Sequence, residues 1–122
     1  MGHSSLARIM IVGTDLHFCY LMRRYVRESN HSFLSTIPDE ETVSLARREK
    51  PALIVMEASR PNTQSLQMVK SLRANQETCH IPIVFCSWHD QEPSSLETSV
   101  DVCLRMPVLY ADFLAVLGSL GI

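Results

Sequence analysis

Long hydrophobic runs are missing from this 122-residue sequence, and none approaches the roughly 20 apolar residues that cross a bilayer. The first residues lack the charged-then-apolar order of a secretory leader. The formal net charge is only -2, so no basic field would attract nucleic acid or anionic membrane. These features predict a cytoplasmic protein that contacts neither a membrane nor nucleic acid directly.

The sequence has only four cysteines, and no two of them form a C-x-x-C pair. A structural zinc site needs a set of converging ligands, and a disulfide framework is typical of smaller secreted chains. Cys19, Cys86 and Cys103 lie in apolar stretches, where a free thiol behaves as a small hydrophobic side chain. We therefore expect reduced cysteines, no metal site and no cofactor.

Internal repeats, low-complexity tracts and linker-like segments are also absent from the sequence. Its length is typical of one domain with a single core. Hydrophobic residues make up 46% and charged residues 20%, as in ordinary globular proteins. Residues 1–6 are mostly small and polar, and we expect a disordered start or a cloning remnant there, followed by one domain over residues 7–122.

Short apolar runs alternate with helical patterns along the chain. The runs 7–12, 51–56 and 81–86 are continuous, which is typical of strands buried on both faces, and 31–37 and 100–104 are weaker strands. Apolar residues at helical spacing follow Asp15, Asp39, Asn62 and Pro107. This order predicts an α/β fold, a doubly wound parallel sheet with helices on both faces. The functional crevice of such a sheet lies at the carboxyl ends of the strands.

Four segments each contain a predicted strand and the residues just past it, namely RIMIVGTD, PALIVMEASRP, IPIVFCSW and DVCLRMP. In their order and at nearly the same spacing over residues 7–117, they resemble the response-regulator receiver family. Pro61 and Pro107 stand at the family's proline positions, and Ser87 stands at its hydroxyl position. The resemblance implies a five-stranded CheY-like, flavodoxin-like sheet of order 2-1-3-4-5 and a role in two-component-type signalling. It also implies a cis peptide between Met106 and Pro107, as in the family's Lys-Pro.

The groups that support phosphorylation in the family are replaced in this sequence. The resemblance puts Gly13 and Thr14 at the magnesium-binding acidic pair, with Asp15 as a neighbouring acid, and Glu57 at the phosphoacceptor aspartate. It puts Met106 at the lysine. Mg²⁺ is usually held by carboxylates, and a neutral thioether cannot pair with phosphate as an ammonium does. We therefore predict a degenerate pseudo-receiver, not an enzyme, that acts by phosphorylation-independent protein–protein interaction.

Two other functions stay open at this point. One is a working receiver that still accepts phosphate through Asp15 and Glu57. The other is a small-molecule or redox-sensing module, which an ordered pocket lined by Trp88 and Met106 would favour. Glu57 itself is either a solvated glutamate at a strand end or a mimic of the phosphorylated aspartate.

Large side chains near the altered site are candidates for partner contacts. Trp88 either fills the vacated space or anchors an interface, and Cys103 stands where the family often has an aromatic switch residue. The resemblance places a protein partner or a second copy on the face formed by the fourth helix, fifth strand and fifth helix, about residues 90–117. The segment 90–99 is polar and contains Pro93, so we expect a short or irregular fourth helix. The interaction candidates are Trp88, Cys103, Tyr110, Phe113 and Leu117.

Overall fold

The structure is a computed structural model that describes residues 7–58, 63–88 and 100–122. Within these residues there are five strands and four helices, which follow one another in the predicted order. The elements are β1 (Arg8–Val12), α1 (Leu16–Glu28), β2 (Ser32–Thr36), α2 (Glu40–Glu49), β3 (Leu53–Glu57), α3 (Thr63–Ala74), β4 (Ile83–Ser87), β5 (Val102–Arg105) and a C-terminal helix (Tyr110–Ser119).

The five strands form one parallel sheet with the order β2-β1-β3-β4-β5. The continuous apolar runs of the sequence supply its three central strands. Residues 9–12, 53–56 and 83–87 are all buried, because helices cover both faces of a doubly wound sheet. The predicted α/β fold and its strand order are confirmed.

Side chains along each strand alternate between the two faces of the sheet, and each face has its own core. Ile9 and Ile11 pack with residues of α1 and the C-terminal helix. Met10 and Val12 pack on the opposite face with residues of α2 and α3. The two-residue alternation of β1 therefore decides which pair of helices each side chain supports.

Two aspartates cap the N-termini of helices at the predicted positions. Asp15 Oδ1 accepts a 2.9 Å hydrogen bond from the His17 amide, and Asp39 Oδ1 accepts one of 2.9 Å from the Glu41 amide. Each carboxylate satisfies an amide that the first helical turn leaves without a partner. From its cap onward, α1 buries one apolar stripe made of Phe18, Met22, Tyr25 and Val26.

The C-terminal helix differs from the prediction in the residues that it exposes. Phe113 and Leu117 are only 2% and 4% exposed, because they pack in the same core as Tyr25. The expectation that these two side chains lie at an interaction surface is therefore wrong. Leu109 and Leu114 are the exposed apolar residues of this region, with 60% and 42% of their surface accessible.

The Met106–Pro107 peptide is cis, as the resemblance implied. The expectations for residues 1–6, Pro61, Asn62 and the segment 90–99 concern residues outside the described ranges. No helix in the described part of the chain is long and apolar enough to span a bilayer.

Candidate functional site

The carboxyl ends of the parallel strands bring the predicted site residues to one edge of the sheet. Glu57 ends β3 beside Cys86 of β4. The carbonyl of Ser87 accepts a 2.8 Å hydrogen bond from the Met106 amide, which joins the ends of β4 and β5. The residues at this edge are Gly13, Thr14, Asp15, Glu57, Ser87, Trp88, Met106 and Pro107.

The Glu57 carboxylate turns back onto the loop between β1 and α1. Its Oε1 accepts a 2.8 Å hydrogen bond from the Thr14 amide and a 3.1 Å hydrogen bond from the Asp15 amide. The side chain is half-buried. Glu57 is therefore held by two backbone donors, which differs from the first of its two interpretations, a solvated carboxylate at the strand end.

Gly13 provides the space that the Glu57 carboxylate occupies. A Cβ on Gly13 would lie 2.8 Å from Oε1 of Glu57, 3.1 Å from its Cβ and 3.1 Å from Cδ2 of Phe18. A contact of 2.8 Å is closer than Cβ atoms tolerate, so a larger residue would make the end of the Glu57 side chain shift. The glycine therefore leaves room for the orientation that Glu57 has here.

Met106 is part of the core below this edge. It is 7% exposed and packs in the same cluster as Phe18, Met22 and Val108. Ser87 is also buried, with 5% of its surface accessible. A buried thioether supplies dispersion contacts but no charge, so this position stabilises the fold and offers no cation to an anion at the edge.

The cysteines near the site are poorly suited to redox chemistry. Burial raises the pKa of the Cys86 thiol to about 12, and the nearby Cys103 and Glu57 act in the same direction. Burial also raises the pKa of Cys19, with the Glu57 carboxylate as the next cause. Because the thiolate is the reactive form, both thiols are held in the less reactive state. Cys103 is exposed on β5.

A small apolar cavity lies beside the site, between the first turns of α1 and the segment around the cis peptide. Its volume is about 140 Å³. Trp88 and Met106 both line it, which is the arrangement that would favour a sensing module. The remaining lining residues are Asp15, His17, Phe18, Leu21, Met22, Pro107 and Val108.

The other interaction candidates are spread over the neighbouring surface. Trp88 is 53% exposed, so about half of its side chain lies at the surface. Tyr110 is half-buried, and its ring centroid lies 5.2 Å from that of Tyr25. Tyr25 in turn donates a 2.9 Å hydrogen bond from its hydroxyl to the Val108 carbonyl. This bond ties α1 to the segment that follows the cis peptide.

Comparison with solved structures finds the same fold in bacterial receiver domains. A CheY-like receiver domain from Methylobacillus flagellatus has a TM-score of 0.82 at 19% identity, over 95% of this chain and 99% of that one. The receiver domain of a Pseudomonas aeruginosa sensor histidine kinase, which has magnesium in its active-site cleft, has a TM-score of 0.83 at 16% identity. That match covers 97% of this chain and 100% of the other. These likenesses establish the fold.

Curated relatives establish the family, although no family model matches the chain. The polar-differentiation response regulator DivK of Brucella ovis is 30% identical over 76 residues, which is 62% of each protein. Protein PilH of Pseudomonas aeruginosa is 30% identical over 87 residues, 71% of this chain and 72% of PilH. The chain belongs to the response-regulator receiver family. Receivers are signalling domains that interact with protein partners.

The residues of this receiver do not fit the magnesium ion that its family implies. Gly13 has no donor atom and Thr14 only a neutral hydroxyl, whereas Mg²⁺ prefers carboxylate and other oxygen ligands. Oε1 of Glu57 already accepts two amide hydrogen bonds. Across residues 7–58, 63–88 and 100–122, no three histidine, cysteine or acidic side chains form a group that could hold a metal.

Two features of this receiver's site were not predicted from the sequence. The Glu57 carboxylate lies beside Gly13 and accepts the amide of Thr14, 43 residues earlier in the chain, and the only sequence signal was the glycine itself. The hydrogen bond between Tyr25 and the Val108 carbonyl spans 83 residues. A buried tyrosine hydroxyl needs a partner, but nothing in the local pattern names which one.

Proposed function

We propose that this receiver acts without accepting phosphate, as a non-enzymatic module of a two-component-type pathway that works through protein–protein contacts. The observation that carries the proposal is the Glu57 carboxylate, which lies over Gly13 and accepts the Thr14 and Asp15 amides. The residue at the phosphoacceptor position is thereby engaged by its own protein.

Phosphoryl transfer depends on positioning the acceptor and neutralising the charge of the transferred group. The Glu57 oxygen nearest the loop has two hydrogen-bond donors, which reduce its availability as a nucleophile. Its longer side chain also misplaces the carboxylate, and an error of about 1 Å can cost about 100-fold in rate. Buried, neutral Met106 cannot supply the charge that an ammonium would bring.

The alternative of a phosphate-accepting receiver that uses Asp15 and Glu57 is less well supported. Asp15 Oδ1 accepts a hydrogen bond from the His17 amide and caps α1, so one of the two oxygens of this carboxylate is already engaged. The Asp15 amide donates to Oε1 of Glu57, so each of the two carboxylates has one oxygen engaged by the backbone.

The alternative of a small-molecule or redox sensor has weaker support than protein contact. Sites for small ligands are typically about 300–1,000 Å³ in volume, whereas the cavity beside Trp88 has about 140 Å³. The raised pKa of Cys86 and Cys19 opposes thiolate chemistry near the site. Trp88 at 53% exposure is a large amphipathic side chain on the surface, of the kind enriched in protein interfaces.

Intact-mass spectrometry after treatment with acetyl phosphate and Mg²⁺ tests the absence of phosphorylation. We expect no mass gain for the wild type. A variant with Gly13→Asp, Thr14→Asp, Glu57→Asp and Met106→Lys serves as the assay's positive comparison, because it restores each group that the family pattern contains at these positions. A gain of one phosphate by the wild-type protein would refute the proposal.

The partner surface is proposed around exposed Trp88 and Cys103 and half-buried Tyr110. Capture of partners from native lysate, with Trp88→Ala as the matched variant, tests a heterologous partner. Light scattering of the wild type and Tyr110→Ala tests a second copy of the chain. If both variants behave as the wild type in both assays, the contacts lie elsewhere on the domain.

A further inference from the structure

The cavity beside Trp88 combines an apolar floor with a charged rim. Phe18, Met22 and Val108 form buried parts of the floor. Asp15 is exposed at the rim, and the half-exposed indole of Trp88 forms another part of the wall. An occupant must therefore be apolar along most of its length and polar at one end.

The size of the cavity indicates one side chain rather than a free ligand. Its volume of about 140 Å³ is well below the roughly 300–1,000 Å³ of small-molecule sites. Interface hot spots, in contrast, commonly insert a single aromatic, aliphatic or arginine side chain into a pocket of the partner. The cavity therefore suits an anchor residue carried by another protein.

The charge of the residues that line the cavity favours a positively charged group at the end of the inserted side chain. Asp15 is the carboxylate among the lining residues, and the described lining contains no lysine or arginine. Within the described residues, this carboxylate accepts one hydrogen bond, from the His17 amide to Oδ1. Its other oxygen, Oδ2, can therefore accept a hydrogen bond from a bound group. A cation above an aromatic face gains further attraction, and arginine stacks there more often than lysine does.

We infer that this cavity receives an arginine side chain of a protein partner. The methylene groups pack on Phe18 and Met22, and the guanidinium lies between Asp15 and the Trp88 indole. This inference rests on the proposed role in protein contact and names the chemistry of the contact. It does not depend on the phosphorylation result, which is measured separately by mass.

Trp88 is the chain's single tryptophan, so its indole N–H is a local reporter in spectra of ¹⁵N-labelled protein. N-acetyl-L-argininamide is the probe, titrated at constant ionic strength. We expect saturable shifts of the Trp88 indole and of the backbone amides of His17 and Val108. N-acetyl-L-citrullinamide has the same shape without the charge, and we expect it to bind about tenfold more weakly or less.

Two matched variants locate the charge that binds the probe. Asp15→Asn keeps a good helix N-cap while removing the carboxylate, and we expect about tenfold weaker binding of the arginine probe. Asp39→Asn makes the same change at the cap of α2, where the nearby cavity is a different one, and should leave binding unchanged. Backbone spectra report whether each variant is folded. Equal binding of the arginine, citrulline and N-acetyl-L-leucinamide probes, no saturable shift at Trp88, or an unaffected Asp15→Asn protein would overturn the inference.

Discussion

Gly13 and Glu57 fit together so closely that a Cβ on the glycine would lie 2.8 Å from Oε1 of the glutamate. The same oxygen accepts the amides of Thr14 and Asp15. The glycine and the glutamate therefore form one fitted pair, in which the long side chain of Glu57 occupies the space beside Gly13.

Substituting Gly13 by alanine is expected to destabilise the fold by about 1–3 kcal/mol, because the new Cβ overpacks against Glu57 and Phe18. The loss should shrink when Glu57 is also changed to alanine, since part of the clash is removed. Urea denaturation of the two single variants and the double variant measures the coupling. Gly118→Ala is the control, because among the described residues nothing outside its own stretch of helix lies within 4 Å of its added Cβ. Additive losses would show that the two positions are independent.

Magnesium binding is expected only when both positions are changed. Gly13→Asp alone brings a second carboxylate into the space that Glu57 occupies, so the two side chains exclude each other. Adding Glu57→Asp shortens the competing side chain and leaves two carboxylates for the ion. Calorimetric titration with Mg²⁺ compares the single and double variants. Tight binding by Gly13→Asp alone would contradict this account.

Tyr25→Phe is expected to destabilise the protein by about 1–3 kcal/mol, because it leaves the Val108 carbonyl without the hydroxyl that donates to it. Val108 itself is buried, so water does not readily replace that donor. Urea denaturation measures the change, with Tyr20→Phe as the exposed control. A loss no larger than that of the control would mean that the bond contributes little.

The stability of the protein should fall as the pH rises above about 9. Burial raises the pKa of Cys86 from 9.0 to about 12, so between these values the unfolded thiol loses its proton while the folded one keeps it. Unfolding then releases a proton, and the free energy of unfolding decreases by up to about 1.4 kcal/mol per pH unit. The raised pKa of Tyr25 acts in the same direction above pH 10.

Thermal unfolding of Cys86→Ala between pH 8 and 11 tests this prediction. The variant should lose part of the alkaline slope, whatever its stability at neutral pH. Cys79→Ala removes an exposed thiol and should keep the slope of the wild type. Identical slopes for wild type and Cys86→Ala would assign the alkaline instability to other groups.

Two neighbouring residues of the C-terminal helix are expected to differ in how much their substitution changes the stability of the fold. Phe113→Ala should cost about 3–5 kcal/mol, because it empties a core position. Leu114→Ala should change stability by no more than about 0.5 kcal/mol, because that side chain is exposed. Denaturation of both variants measures the contrast. Comparable losses would mean that Leu114 also packs in the core.

Most features of the fold could be predicted from local patterns in the sequence. The three apolar runs became the central strands, Asp15 and Asp39 capped helices, and the alternation of strands and helices led to the parallel sheet. These features could be predicted because burial and capping depend on residues close together in the chain. The absence of charge at Met106 could also be predicted, since no fold can give a charge to a thioether side chain.

Contacts between distant residues were decided only by the tertiary structure. The carboxylate of Glu57 accepts hydrogen bonds from the amides of Thr14 and Asp15. It can reach them because the parallel pairing of β1 and β3 brings the ends of these strands together. Phe113 and Leu117 were buried because the C-terminal helix packs against Tyr25 and its neighbours, which the apolar pattern of the helix alone did not reveal. Sequence periodicity determines which residues can share a face, whereas the packing of two elements decides which of those faces is covered.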